Sequence, residues 1–381
     1  MSIYLIPIRT AILVFPLLAL LITLPYILIQ YNKYGSILVT RVTIVYSFIF
    51  YLLCAYFFTM LPLPSRTEVA KLTTPYVSLE LFSSVKLLLS TTVFNIHDMS
   101  TWLPALLQPN CFTIYFNILM VIPLGIYLRY YFKKGWLSTT IICFLVSLSF
   151  ELIQLSGLFG IYSRPYRLFE LDDLFFNTLG GIIGYIITPI LVRYLPTKDE
   201  LEETSYLRGH KVSGLRRISA MGIDLIIILL MNVSLIFMLK GRVELSNIKL
   251  AYSTYVATIF IYFILFNFMF RGQTLGKMIV KIKLVNSDGG SGKLYNYIIR
   301  YIYLFIVVLP SPLYLLYLVN IIKGVDNINL QYFILGIIFI ISFVFIASAL
   351  QLFVAILSHR YRAIHSRLSN LHNISIINYK E

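Results

Sequence analysis

The chain has 381 residues, 59% of them hydrophobic and 12% charged, with a net charge of +15 and a mean hydropathy of +0.84. Globular domains carry about 25% charged residues, so this composition excludes a soluble globular protein and defines an integral membrane protein. The basic residues sit in short connectors between apolar runs, as the positive-inside bias produces, which argues against a nucleic-acid partner and for membrane lipids.

Apolar runs long enough for a hydrocarbon core of about 30 Å recur near 11–31, 37–61, 111–131, 137–158, 174–194, 217–239, 251–270, 297–320 and 331–357. They predict an all-α polytopic transmembrane helical bundle of about nine spans. The first run carries Pro16 and Pro25 and lacks a small-residue cleavage site, so it reads as a retained helix. Basic residues then orient the spans. Lys33 and Arg41, Arg129 with Lys133 and Lys134, Arg193 through Arg217, Arg271 through Arg300, and Arg360 through Arg367 mark alternate connectors as cytoplasmic. The N-terminus is then outside and the C-terminus cytoplasmic, with Arg9 against the pattern.

Residues 62–110 form the longest outer connector. Its apolar stretch from Val77 to Leu89 is too short to span, so it is either an interfacial or re-entrant element or a loop with one amphipathic helix. Residues 196–216 are the most hydrophilic stretch and divide a first domain, 1–195, from a second, 217–381. No internal repeat crosses this linker, which argues against an inverted-repeat transporter. Cys54, Cys111 and Cys143 all lie in apolar runs without CxxC spacing, so they read as packing residues; no metal site or cofactor is implied.

Between Glu151 and Gly184 a run of carboxylates, amides, arginines and glycines is set between segments apolar enough to lie in lipid. Glu151 and Gln154 share one helical face, and Asp173 and Asn177 share a face at the start of the next span. A short connector lets these faces meet, with Asn117 at a comparable depth on the preceding span and Arg164 and Arg167 supplying positive charge. Ionisable groups in the membrane are costly and are functional by default. One reading is therefore an outward-facing pocket for an amphiphile's polar head, with Arg167 gripping an anion and Glu151 and Asp173 as candidate acid/base groups. The other is a structural network that knits the helices together. Gly180 and Gly184 make a GxxxG face, adjoined by Gly181, suited to close helix packing.

ExxQ (Glu151, Gln154), then RxxxxxDxxxN and GGxxG (Arg167, Asp173, Asn177, Gly180, Gly181, Gly184), preceded by NxxxxxPxG (Asn117, Pro123, Gly125), resembles the VanZ-like family of bacterial membrane proteins over roughly residues 40–195. The resemblance implies a multi-pass cell-envelope protein associated with resistance to the glycopeptide teicoplanin. It supplies no catalytic mechanism.

In the second domain Arg217 and Asp224 lie on one helical face, two turns apart. Alternation at Val280, Ile282 and Leu284, followed by a Ser287–Gly290 turn, predicts a strand and turn inserted near 278–295. The GQTLGK segment (Gly272, Thr274, Gly276, Lys277) has one residue too few for a phosphate loop and is followed by Met278, so nucleotide binding is unsupported. RRxxAxxxD, GQTLGK, the DGG turn and Arg300 resemble the RDD family over about residues 208–375. That family ends on an "HD" pair, whereas here His365 is followed by Ser366, which weakens the cation/proton exchange the resemblance implies and favours a regulatory or scaffold role. His359, His365 and His372 read as solvated tail residues.

Three functions follow. The favoured one is a non-enzymatic envelope protein whose pocket takes an amphiphilic ligand, a lipid-linked cell-wall precursor or a glycopeptide. The alternatives are a membrane enzyme acting on a lipid head group and a cation/proton transporter using Asp224. The sequence does not fix the oligomeric state.

Overall fold

In lipid every backbone polar group must be satisfied within its own segment, so long apolar runs are expected to fold as helices. The computed structural model describes residues 2–91, 97–106, 109–239, 254, 256–308, 311–325, 327–357 and 364–377. Among these, seven helices are long and apolar enough to cross a membrane: Leu5–Tyr34, Val39–Met60, Cys111–Tyr130, Trp136–Leu155, Leu171–Leu191, Gly214–Leu235 and Ile328–Gln351. The fold is an all-α polytopic bundle with little sheet.

Of the two remaining apolar stretches the described residues cover only parts. Near 251–270 the described part is the shorter apolar helix Val256–Met269, wound as a π-helix over Phe260–Phe266. Near 297–320 the chain forms an amphipathic helix Leu294–Ile302, a π-helical turn Tyr303–Val308 and a helix Ser311–Ile322. Asn296 and Arg300 give the first of these a buried polar face, which a lipid-facing span would not carry. Residues 251–253 and 309–310 lie outside the described set, as does His359.

The chain divides into two compact units, Met1–Thr23 with Val39–Leu201, and Leu24–Leu38 with Glu202–Glu381. In the first, the helices Pro109–Tyr130, Trp136–Leu155 and Leu171–Leu191 pack together, and small residues set how closely. A Cβ on Gly180 would collide with the Ile118 carbonyl oxygen and one on Gly184 with that of Ile122, so the GxxxG face lies directly on the Pro109–Tyr130 backbone. Gly125 meets the Gly181 carbonyl in return, and Gly181 itself faces Cys143. Within 62–110 the helix Arg66–Ala70 carries a capping box from Ser65 and Glu68. A short strand β1 (Val77–Ser78) then pairs in parallel with β2 (Phe169–Glu170), and the helix Ser83–Thr91 follows.

In the second unit the expected strand appears as β3 (Ile282–Asn286), closed by a turn in which Gly289 takes φ +78°. Its antiparallel partner is β4 (Leu371–Ser375), in register from Ile282 opposite Ser375 to Asn286 opposite Leu371. The C-terminal stretch is therefore folded, contrary to its reading as a solvated tail: His365 is buried and His372 sits within β4.

Candidate functional site

In the first unit Ser147, Glu151 and Gln154 fall on one buried face of the Trp136–Leu155 helix, as their spacing dictates. Glu151 is 4% exposed. Its Oε2 accepts a hydrogen bond from the Glu170 backbone N–H at 3.2 Å, directly before the helix Leu171–Leu191 begins. On that helix Asp173 Oδ1 accepts from Asn117 Nδ2 at 2.6 Å, and Asn177 Nδ2 donates to Ser147 Oγ at 2.9 Å. Glu151, Asp173, Asn117 and Asn177 thus gather from consecutive spans.

The arginines and Gln154 engage main-chain acceptors. Arg167 Nη1 and Nη2 donate to the carbonyls of Thr59 and Leu61 at 3.0 and 3.2 Å, and Gln154 Nε2 donates to Thr59 O at 2.7 Å. These bonds hold the exit of the Val39–Met60 helix, whose last carbonyls have no partner within the helix. Arg164 donates to the Thr74 carbonyl and lies 4.8 Å above the Tyr76 ring. Arg167 is close enough to influence the charge of both Glu151 and Asp173, yet among the described residues neither carboxyl has a basic nitrogen within 4.0 Å. Asn177 Oδ1 is buried and, among the described residues, has no hydrogen-bond partner. Burial, then the nearby Asp172, pushes the Glu170 carboxyl above its usual range. The cluster is rich in acceptors.

Asp172 is a buried polar residue that the sequence pattern leaves out. It accepts from the Phe82 and Ser84 backbone N–H groups and from Ser83 Oγ, and so fixes the start of the Ser83–Thr91 helix. Consecutive helical residues point about 100° apart, so Asp173 shares the Asn177 face and Asp172 cannot; the DD pair was the available signal.

In the second unit Asp224 is clasped by donors. Its Oδ1 accepts from Tyr262 OH at 2.6 Å and from the Gly276 N–H at 2.7 Å, and its Oδ2 accepts from Thr274 Oγ1 at 2.6 Å. A Cβ on Gly276 would lie 2.2 Å from the Ala220 carbonyl oxygen and 2.7 Å from Asp224 Oδ1, which is why glycine stands there. Thr274 also caps the helix Leu275–Ile279 through the Lys277 N–H. Gly272, at φ +98°, lets the chain turn against the Leu284 carbonyl of β3. Arg216, fully buried, donates to the carbonyls of Val280, Gly209 and Lys281 and to Ser375 Oγ, pinning β3 and β4 to the Gly214–Leu239 helix. Reading by family motif had singled out its neighbour Arg217, which instead lines a cavity of about 230 Å³ together with Asp224, Lys277, Arg300, His365 and Ser366.

Seven long apolar helices with buried polar clusters define a multi-pass membrane protein. Residues 48–192 match the VanZ/LLP1 family model and residues 212–370 match the RDD family model, so the chain joins a VanZ-like segment to an RDD segment. These segments connect it with the cell envelope. No curated protein and no solved structure matches the chain.

Proposed function

We propose that the VanZ-like segment holds the polar head of an amphiphilic or lipid-linked envelope molecule in an outward-facing pocket, with Asn117, Glu151, Asp173 and Asn177 as contacts. Gln154, Arg164 and Arg167 brace the connectors around it. The observation that carries this reading is the pair of buried Glu151 and half-buried Asp173, on separate helices and without a basic nitrogen within 4.0 Å among the described residues. A carboxyl in the membrane interior costs roughly 2.5–3.5 kcal/mol on insertion scales. A purely structural network would offset that cost with an ion pair, whereas the Arg167 fork is given to backbone carbonyls. Asn177 Oδ1, without a partner among the described residues, adds a further acceptor.

An acceptor-rich site suits a head group that brings hydroxyl, amide or ammonium donors, as a lipid-linked cell-wall precursor does. Retention of such a molecule would alter susceptibility to glycopeptides of the teicoplanin type, the phenotype that the VanZ resemblance implies. In a teicoplanin-sensitive bacterium the wild-type chain is expected to raise resistance, and Glu151→Gln at equal membrane abundance is not. Equal protection by the variant contradicts the proposal. The closeness of Glu151 and Asp173 also fits a shared proton, and hence head-group chemistry; product formed from labelled lipid by wild type and not by Glu151→Gln would favour that second reading.

A further inference from the structure

The cavity in the second unit is charged at one part of its lining and apolar elsewhere. Arg217, Lys277 and Arg300 contribute cations, while Phe263, Phe305 and Val308 contribute apolar wall. Asp224 is the acid of the lining, and both of its oxygens are already engaged by Tyr262, Thr274 and Gly276. Lys277 and Arg300 use neutral acceptors. Lys277 Nζ donates to Tyr301 OH at 2.7 Å and Asn267 Oδ1 at 3.3 Å, and Arg300 Nη1 donates to Ser366 Oγ at 2.9 Å and Leu371 O at 3.3 Å. Among the described residues neither cation has a carboxylate within 4.0 Å.

This excess of positive charge is felt by neighbouring groups. Burial, then the Arg300 charge, holds the Lys277 ammonium well below its usual range. Burial, then Arg300 and Arg217, holds His365 down to about 2, so the imidazole adds no charge of its own. Desolvated cations gain most from an anion that accepts several of their hydrogen bonds at once.

We propose that this cavity binds a phosphate-type anion, lipid-borne in preference to free, with Lys277, Arg300 and Arg217 on the anionic head and Phe263, Phe305 and Val308 against the first part of the chain. The site is separate from the Glu151 and Asp173 cluster and does not depend on it. Ser366 is central to its sign. A carboxylate at that position would lie on the Arg300 donor and neutralise the lining.

The purified full chain in zwitterionic detergent is titrated with short-chain phosphatidylglycerol, phosphatidylcholine or inorganic phosphate, with bound ligand read by native mass spectrometry. Wild type is expected to retain phosphatidylglycerol saturably and phosphatidylcholine weakly. Losing one charge-assisted contact weakens binding on the order of tenfold, the effect expected of both Lys277→Met and Ser366→Asp. Phe305→Trp fills the cavity without touching the charges and is expected to block binding too, and melting curves check that each variant is folded. Saturation by inorganic phosphate instead upholds the anion site and identifies a free anion as its source. The proposal is overturned if wild type binds neither anion, if both lipids are retained equally, or if folded variants bind as wild type does.

Discussion

Asp224 shows how one residue type serves different ends in this chain. Its carboxylate is saturated by Tyr262, Thr274 and the Gly276 N–H, whereas Glu151 and Asp173 each have a neutral donor and no ion pair among the described residues. Hydrogen bonds to a charged group contribute roughly 1.5–3 kcal/mol each. Asp224→Asn, which sets an amide against inward-pointing donors, is therefore expected to lower stability by about 3 kcal/mol, read as a fall in melting temperature of the detergent-solubilised protein. His365 gives a pH prediction. Its folded-state value of about 2 lies below the ordinary 6.5, so the unfolded chain takes up the proton first and stability falls as pH drops below about 6.5. The slope approaches about 1.4 kcal/mol per pH unit, and His365→Gln should flatten that part of the melting-temperature profile between pH 7.5 and 5. At this scale the sequence identified which polar residues lie inside but not how they are used. Helical spacing placed Glu151 with Gln154, yet it could not reveal that Gln154 and Arg167 both reach the end of the Val39–Met60 helix, because those carbonyls are distant in sequence. Arg216 stands in the RRxxAxxxD motif, but spacing does not show its role, since its acceptors are Gly209, the Val280 and Lys281 carbonyls just before β3, and Ser375 in β4.

Among the elements, the helix pair Pro109–Tyr130 and Leu171–Leu191 owes its closeness to glycines that touch backbone rather than side chains. Backbone cannot move aside as a flexible side chain can, so Gly180→Ala and Gly184→Ala are expected to destabilise the first unit by roughly 1–3 kcal/mol each. Gly222 sits in a helix with nothing within 4 Å of the place a methyl group would take. Gly222→Ala should instead be neutral or stabilising by up to about 1 kcal/mol, and melting of the three variants under one condition checks the contrast. The GxxxG spacing made the packing face readable, but not its partner. β3 was legible from alternation, and its pairing was not: β4 lies near the other end of the second unit, in a stretch whose histidines and basic residues look solvated. The two further expected spans fall on stretches that the described residues cover only in part, beside the seven long helices described.

For the whole molecule, composition alone was decisive on class, because a chain with 59% hydrophobic and 12% charged residues has too little polar surface to be soluble. The VanZ-like and RDD segments were legible because their polar residues stand out against apolar helices at fixed spacing. The cavity beside Lys277 and Arg300 was not, since its lining joins residues from five separate stretches of the second unit and the sequence shows only isolated basic residues. The central claim is that the Glu151 and Asp173 carboxyl pair of the VanZ-like segment receives a ligand. Its most direct test is photo-crosslinking of the purified full chain in an envelope-lipid extract, followed by identification of the lipids attached near Glu151 and Asp173. The account predicts a lipid class with a donor-rich head that is captured by wild type and lost from both Glu151→Gln and Asp173→Asn while both variants melt normally. Identical lipid capture by the wild type and the two folded variants would contradict it.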